Sequence, residues 1–294
     1  MREFILGTDW WTDCDDAVAM RLLCNAVKKG VIRLLGVGIN ACMEYSAASV
    51  KGFLKAEGLC DIPLGLDIAA TDFGGEPPYQ KRLALDHCPD TVNADLEDAV
   101  HLYRRLLAAA KAPVEILEIG FPQVLSALLQ SKGDYISPKS GAELVKEKVK
   151  KFWLMAGKWD RDGEEEHNFC RNHRSRTAAE FFCRTCPVPV TFLGWEVGYD
   201  VITGDELPHD DHLYKVMLDH GSENGRSSWD PMLALLAVTG DETEAGYTTV
   251  SGYASVDPET GKNYFKKDPK GPHKYVVKAR ENDFYKQAIN AYIR

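Results

Sequence analysis

The chain has 294 residues, of which 45% are hydrophobic and 27% are charged, and its formal net charge is −9. This composition is typical of a globular protein with enough chain to bury a large core. The acidic balance argues against a nucleic acid as partner, because neutralising phosphates needs clustered Lys and Arg side chains. It is compatible with a neutral small substrate or a bound cation.

Short apolar runs alternate with amphipathic stretches along the chain, starting at the N-terminus. Apolar and β-branched runs predict strands at Phe4–Leu6, Val31–Ile39, Ile62–Leu64, Val114–Ile119, Phe152–Met155 and Val188–Leu193. Apolar residues at helical spacing predict helices at Asp16–Val27, Ser46–Ala56, Asp98–Ala110, Pro122–Leu129, Thr177–Phe182 and Asp230–Val238. Strands separated by helices in this way form βαβ units. We therefore predict an α/β fold with a mostly parallel central sheet and helices on both faces.

The pattern changes near the C-terminus. Gly246–Val256 and Lys274–Val277 look like a β-ribbon, and the segment Pro258–Pro272 between them is polar and contains Gly, Pro and Lys. We predict a β-hairpin appended to the same domain, followed by a final helix from Glu281 to Tyr292. Residues 1–294 are thus predicted to form a single domain.

An unusually acidic segment, Asp9–Asp16, follows the first predicted strand. It contains four carboxylates, at Asp9, Asp13, Asp15 and Asp16. In an open parallel sheet, ligands bind beyond the carboxyl ends of the strands. One or two acids there would serve as a helix cap, whereas four repel one another unless a cation lies among them. Oxygen ligands suit Ca²⁺ or Mg²⁺, so we predict a metal site; a purely structural acidic cap is the alternative.

The acidic segment lies within a stretch, Thr8–Ala19, that resembles the N-terminal signature of the nucleoside hydrolase family (inosine/uridine-preferring nucleoside N-ribohydrolases). That signature runs Asp-Thr-Asp, a short turn, then Asp-Asp-Ala. Four further elements follow in the family's order. Gly36–Asn40 is similar to the second strand, and Glu118–Pro122 resembles the Thr-Gly-Pro-Leu-Thr-Asn turn. Glu166–Asn168 resembles the Glu-Phe-Asn element, and Ser228–Pro231 falls at the position of His-Asp-Pro. The chain looks like a divergent member of this family.

The resemblance implies an enzyme with a nucleoside hydrolase-like fold that hydrolyses the N-glycosidic bond of a ribonucleoside or related riboside. It implies Ca²⁺ as cofactor and a metal-bound water as nucleophile. Asp9 would be the catalytic residue that takes the proton from this water. The other roles implied are the metal ligands Asp9, Asp16, Asp230 and the main-chain carbonyl of Ile119, and the ribose-binding residues Asp15, Asn40, Glu166 and Asn168.

Three departures from the family pattern concern the leaving group and the loop. Trp229 stands where inosine/uridine-preferring members carry a His proposed as the acid, and indole cannot protonate a departing base. A positioned general acid contributes roughly 10²–10⁴-fold to the rate. Gly7 replaces the first Asp of the signature, and Trp10-Trp11 replaces a pair of small turn residues. We expect Trp229 to contact the substrate, while Trp10 and Trp11 either stack on a flat aglycone or fill the loop core or a subunit contact.

Two alternatives to a nucleoside hydrolase therefore stay open. One is a calcium-dependent ribose- or nucleoside-binding protein with little or no turnover. The other is a hydrolase of a non-nucleoside pentoside, because the residues that bind ribose say little about the aglycone.

The predicted partners and compartment follow from the same features. We expect a small-molecule riboside as substrate, no nucleic acid, and no membrane, because no apolar run is long enough to span one. By analogy with the family we expect a homo-oligomer, a dimer or tetramer. The N-terminus enters a strand at once, and the eight cysteines lie mostly in apolar segments. We therefore predict reduced thiols and a cytoplasmic protein.

Overall fold

A single eleven-stranded sheet receives strands from both ends of the chain in the computed structural model, which describes residues 1–294. The thirteen strands are β1 Arg2–Thr8, β2 Ile32–Ile39, β3 Leu64–Leu66, β4 Glu97–Asp98, β5 Val114–Glu118, β6 Val149–Met155, β7 Glu164–Glu165, β8 Val190–Leu193, β9 Ile202–Thr203, β10 Arg226–Ser227, β11 Tyr247–Val256, β12 Lys262–Lys267 and β13 His273–Lys278. The order in the large sheet is β4-β3-β2-β1-β5-β6-β8-β13-β11-β12-β7, and β9 pairs with β10 separately.

The pairing is parallel from β4 across to β13 and antiparallel among β13, β11, β12 and β7. The predicted mostly parallel sheet is confirmed. So is the C-terminal hairpin, because β11 and β13 are antiparallel neighbours. Since β13 also pairs with β8 in parallel, the hairpin continues the central sheet instead of standing apart from it.

Helices cover both faces of the sheet, as predicted. They are α1 Asp15–Lys28, α2 Ser46–Ala56, α3 Gln80–His87, α4 Ala99–Ala109, α5 Gln123–Gln130, α6 Gly141–Lys148, α7 His167–Cys170, α8 His173–Thr185, α9 Trp195–Gly198, α10 His212–His220, α11 Trp229–Thr239 and α12 Asn282–Ile293, with a 3₁₀ turn at Asn93–Asp95. One apolar core lies between the sheet and α1, α2, α10, α11 and α12, and a second lies beneath α4, α5, α6 and α8. Alternate residues of β1 serve the two cores: Phe4 and Leu6 face the first and Ile5 the second.

Two local predictions are wrong in detail. The third strand was expected at Ile62–Leu64 but spans Leu64–Leu66. Pro63 has no amide proton to give to a sheet, although its carbonyl accepts from Val37 N at 3.0 Å. The polar segment Pro258–Pro272 contains β12, where only Asn263 and Phe265 are buried. Lysines on the exposed side of β12 hide the alternating pattern that predicts strands.

The parallel topology determines where functional side chains converge. The carboxyl ends of β1, β2, β5, β6 and β8 lie at the same edge of the sheet, because neighbouring strands run in the same direction. Helices α1, α5 and α9 begin within a few residues of these strand ends. None of the twelve helices has both the length and the apolar content that crossing a membrane would need.

Candidate active site

A cavity of about 250 Å³ opens at the carboxyl edge of the sheet. It contains every residue predicted for the site except Asn40. Its lining consists of Asp9, Trp11, Thr12, Asp13, Asp15, Asp16, Ile119, Met155, Glu166, His167, Asn168, Trp195, Trp229 and Asp230. A larger cleft of about 560 Å³ runs beside the C-terminal ribbon but contains none of the predicted site residues.

Three carboxylates meet on one wall of this cavity. One oxygen each of Asp15, Asp16 and Asp230 lies within 4.8 Å of the others, and all three residues are buried. Burial, reinforced by mutual repulsion, raises the pKa of each of these carboxyls well above its usual value. The first turns of α1 and α11 both point here, and Asp230 N donates to Asp15 Oδ2 at 3.2 Å. Helix N-termini favour negative charge, yet three buried acids need more compensation than two helix ends provide.

The loop after β1 holds Asp9 and Asp16 by backbone donors. Trp11 N donates to Asp9 Oδ1 at 3.1 Å, and Trp10 N donates to Asp16 Oδ1 at 3.2 Å, where the Thr8 hydroxyl also donates. The other oxygen of each carboxylate accepts no hydrogen bond from the protein. Trp10 has φ +47° and is the one non-glycine residue with positive φ. Such a conformation costs on the order of 1–3 kcal/mol, and here it occurs at the residue whose own amide and whose following amide donate to these two carboxylates.

Residues from three other strand ends complete the opposite wall. Asn168 Nδ2 donates to the main-chain carbonyls of Met155 at 2.8 Å and of Ile119 at 3.4 Å. Glu166 accepts from Asn168 N at 2.9 Å and from Gly157 N at 2.8 Å, so backbone donors set the orientation of its carboxylate. Burial raises the pKa of Glu166 to about 7. Asn168 therefore lies beside the carbonyl predicted to bind the metal, and Glu166 lies beside Asn168.

Asn40 lies beneath the cavity and does not line it. Its side chain is fully buried, its Nδ2 donates to Glu118 Oε1 at 2.7 Å, and its Oδ1 accepts from Phe121 N at 3.0 Å. Contact between Asn40 and ribose stays a prediction, because protein groups already engage both ends of the amide. Burial raises the pKa of its partner Glu118 to about 8.

Asp13 differs from the other acids of its loop because it has a cationic partner. Arg226 Nε donates to Asp13 Oδ1 at 2.9 Å, and Cys14 N donates to the same oxygen at 2.7 Å. Although burial opposes the effect, Arg226 lowers the pKa of Asp13. Asp13 is thus a loop cap and an ion-pair partner, and its charge is already compensated.

The three tryptophans have different environments. Trp229 is half-buried, and its Nε1 donates to the Trp195 carbonyl at 2.9 Å, so its indole proton is already used. Trp11 lines the cavity and stacks on His167, with ring centroids 5.7 Å apart. Trp10 is fully buried, and its Nε1 donates to Ser49 Oγ at 3.0 Å. Trp10 therefore fills the loop core, whereas Trp11 and Trp229 face the ligand space.

Comparison with known proteins gives matches only at the level of structure. No protein-family model and no curated protein matches the chain. A purine-preferring ribonucleoside hydrolase from Gardnerella vaginalis superposes with a TM-score of 0.73 at 16% identity, covering 99% of each chain. An inosine-uridine preferring nucleoside hydrolase from Bacillus anthracis gives 0.68 at 16% identity, covering 100% of this chain and 99% of that one.

The chain has the nucleoside hydrolase fold. The same fold links it to the type III effector protein XopQ, solved in complex with adenosine diphosphate ribose, with a TM-score of 0.68 at 15% identity; the match covers 99% of this chain and 93% of that one. The fold predicted from the resemblance is therefore confirmed.

Within this nucleoside hydrolase fold, the acidic wall has the donor set that a hard divalent cation requires. The buried oxygens of Asp15, Asp16 and Asp230 converge, and the nearby arginine is engaged by Asp13. Asp9 lies in the same cavity, and burial raises the pKa of its carboxyl as well. An all-oxygen set of carboxylates and a carbonyl suits Ca²⁺ or Mg²⁺ better than a softer metal. The residues present therefore fit a metal ion.

Several residues of the cavity were not predicted. Met155 ends β6 and Trp195 comes two residues after β8, so their positions at strand ends could have indicated them. His167 is a further residue that the sequence analysis did not assign to the site. Its side chain is solvent-exposed but borders the cavity, between two predicted residues. Glu118, at the end of β5, is a buried carboxylate after an apolar run, which is an unusual place for a charge.

Proposed function

We propose that this protein is a Ca²⁺-dependent hydrolase of the N-glycosidic bond of a ribonucleoside or a related riboside. The observation that carries the proposal is the convergence of Asp15, Asp16 and Asp230, buried and without a cationic partner, in one cavity with Glu166 and Asn168. A structural acidic cap of one helix would not need a carboxylate from a second helix that lies far away in the sequence. The nucleoside hydrolase fold supports the same proposal.

The proposed metal ligands are Asp9, Asp16, Asp230 and the Ile119 carbonyl oxygen. When bound, calcium would lower the pKa of a water molecule and would orient the sugar diol. Asp9 would take the proton from the attacking water. Its Oδ1 is held by Trp11 N at 3.1 Å, which leaves the second oxygen available for that proton.

The sugar is bound by residues of both walls. N-glycoside cleavage passes through an oxocarbenium-like ribosyl group, so the hydroxyls must be held while the ring flattens. We assign Asp15 to the 2′-hydroxyl side and Glu166 and Asn168 to the remaining hydroxyls. The backbone donors that hold Glu166, at 2.8 and 2.9 Å, make its orientation independent of substrate. Asn40 supports this wall from below through Phe121 N and Glu118.

The leaving group is proposed to lie among aromatic side chains. Trp11 and Trp229 both line the cavity, where their rings can contact a flat aglycone. Trp229 has no free proton to donate, because its Nε1 already donates to Trp195. His167 is the one imidazole in the lining. Partial desolvation, together with the nearby Arg171, lowers the pKa of His167, so a neutral ring can offer an N–H to the departing base.

A direct assay tests the enzyme proposal. Purified protein is incubated with p-nitrophenyl riboside, whose leaving group needs no acid, and with purine and pyrimidine nucleosides, each with CaCl₂ or EDTA. We expect calcium-dependent turnover that Asp9→Ala abolishes. Asp205→Asn, which alters a carboxylate paired with Lys286 away from the cavity, is the matched control and should retain activity. Activity that persists in Asp9→Ala would refute the assignment of Asp9.

A second candidate is a ribose- or nucleoside-binding protein with little turnover. Two observations favour it. The indole N–H of Trp229 already donates to the Trp195 carbonyl. The chain also shares its fold with an effector protein crystallised with adenosine diphosphate ribose. Calcium-dependent binding of ribose without turnover of any substrate would select this candidate. Turnover of p-nitrophenyl riboside without any nucleoside would instead favour a non-nucleoside pentoside.

We also propose a homo-oligomer, a dimer or tetramer, that acts in the cytoplasm. The proposal rests on analogy with the proteins that the sequence resembles and on its free cysteines, several of which are buried. Light scattering of the purified protein measures the oligomeric state directly, and a monomeric mass would refute it.

A further inference from the structure

Gly7 and Glu118 lie directly opposite each other on the neighbouring strands β1 and β5. Gly7 does not have positive φ, so its backbone conformation does not require glycine. Space does. A Cβ on residue 7 would lie 2.1 Å from Glu118 Oε2 and 2.6 Å from Oε1. The carboxylate of Glu118 therefore occupies the volume into which a side chain on residue 7 would project.

The Glu118 carboxylate connects the ends of two strands. Its Oε1 accepts from Asn40 Nδ2 at 2.7 Å and from Gly120 N at 3.1 Å. Asn40 in turn accepts from Phe121 N at 3.0 Å. The two residues that follow Ile119 thus depend, directly or through Asn40, on one carboxylate.

The same turn lies tightly against the acidic loop. A Cβ on Gly120 would lie 2.3 Å from Asp9 N, and Ile119 N donates to Gly7 O at 2.9 Å. Little movement of the turn is possible without moving Asp9. The other oxygen of Glu118, Oε2, is fully buried and has no hydrogen-bond partner. A buried oxygen without a partner is unfavourable for folding, which indicates that the position of this carboxylate serves something other than stability.

We propose that Glu118 supplies from β5 the one carboxylate that this point of the sheet can hold, in the space that a side chain on residue 7 of β1 would otherwise fill. Glu118 is a positioning residue: it holds Asn40 and the turn at 119–121 so that the Ile119 carbonyl faces the acidic wall. The link to calcium rests on the proposed function, whereas the exchange of space between residues 7 and 118 does not.

The test is a double-mutant cycle with two readouts. Thermal midpoints are measured in EDTA, and calcium affinity is measured by titration calorimetry with CaCl₂, for wild type, Glu118→Ala, Gly7→Asp and the variant carrying both changes. Glu118→Ala should weaken calcium binding about 10-fold or more, in the range of losses seen when a group that orients a metal ligand is removed. Gly7→Asp alone should lower the midpoint sharply, because its side chain meets the carboxylate.

The variant with both changes should recover both properties, because aspartate on β1 then fills the space that glutamate left. Glu118→Gln, which keeps an oxygen for Asn40 Nδ2, should bind calcium within about 3-fold of wild type, less than the loss expected for an orienting group. Glu115→Gln is the matched control. It alters a buried carboxylate of the same strand that pairs with Arg2 far from the cavity, and it should lower the midpoint without changing calcium affinity.

Additive effects in the cycle would overturn the exchange of space. Wild-type calcium affinity in Glu118→Ala, or an equal loss in Glu115→Gln, would overturn the positioning role. If wild type binds no calcium, the proposed metal function fails, and the thermal midpoints still decide whether the two positions share one carboxylate site. Should Gly7→Asp fail to fold, recovery in the doubly changed variant relative to Glu118→Ala carries the test.

Discussion

Replacing Asp230 by Asn should stabilise the protein without calcium and remove most of the stabilisation that calcium provides. The carboxylate oxygens of Asp15, Asp16 and Asp230 lie within 4.8 Å of one another. At that separation two ionised groups repel by about 3.5 kcal/mol with an effective dielectric constant near 20. Burial and mutual repulsion raise the pKa of all three carboxyls, so the site without a cation disfavours their charged forms. Removing one acid should therefore stabilise the calcium-free protein by about 1–3 kcal/mol.

The calcium-induced gain in stability should be much smaller in the variant than in wild type. At a calcium concentration of about 100 times the dissociation constant, wild type gains about 2.7 kcal/mol. Losing a charged ligand should weaken binding at least about 100-fold, more than losing a group that only orients a ligand. The variant then gains less than about 0.5 kcal/mol at the same concentration. Scanning calorimetry in EDTA and in a CaCl₂ series measures both effects.

Asp13→Asn is the matched control for this experiment. Asp13 belongs to the same loop, but its charge is compensated by Arg226. Removing that half-exposed pair should lower stability by about 1 kcal/mol or less and leave the calcium-induced shift intact. An Asp230→Asn protein that is less stable than wild type in EDTA and keeps the full calcium shift would refute the reasoning.

Three further changes test other parts of the molecule. Trp229→His places an imidazole at the leaving-group side and should raise nucleoside turnover relative to p-nitrophenyl riboside, by up to about 100-fold; an unchanged ratio of kcat/KM values counts against this placement of the aglycone. His167→Phe keeps an aromatic ring but removes the N–H, and should lower kcat for nucleosides by about 10-fold or more while sparing the nitrophenyl compound; equal losses on both substrates would contradict it. Glu57→Gln tests a buried ion network, in which a hydrogen bond from His212 and the charge of Arg21 outweigh burial and lower the pKa of Glu57 from 4.5 to about 2. The resulting stabilisation, about 3 kcal/mol, is fully present above about pH 4.5 and is lost as the pH falls toward 2. Urea unfolding of the two proteins should therefore differ at pH 7 and converge near pH 2; an equal difference at both values would exclude this linkage.

Hydrophobic periodicity in the sequence predicts some of the strands and helices and misses others. Strands β1, β2 and β5 and helices α1, α2 and α11 lie close to where hydrophobic periodicity predicts them, because each buries a continuous apolar face. Helices α3, α6 and α10 were not predicted. Each has only two or three buried hydrophobic residues, and most of its surface is polar, so its pattern is weak.

The sequence by itself determined that acids after the first strand would lie at the carboxyl edge of a parallel sheet. Parallel pairing places the carboxyl ends of neighbouring strands at one edge, and Asp9, Asp15 and Asp16, which follow β1, accordingly lie in the cavity there.

Only the tertiary structure decided what each of these neighbours does. Asp13 and Asp15 are two residues apart, yet one pairs with Arg226 from β10 and the other joins Asp230 from α11. Trp10 enters the core, while the adjacent Trp11 reaches the cavity, and Glu118 fills the space beside Gly7. These roles depend on partners roughly one hundred or more residues away in the chain, or on the positive φ of Trp10. No local periodicity encodes either, so they emerge only when the strands and helices pack together.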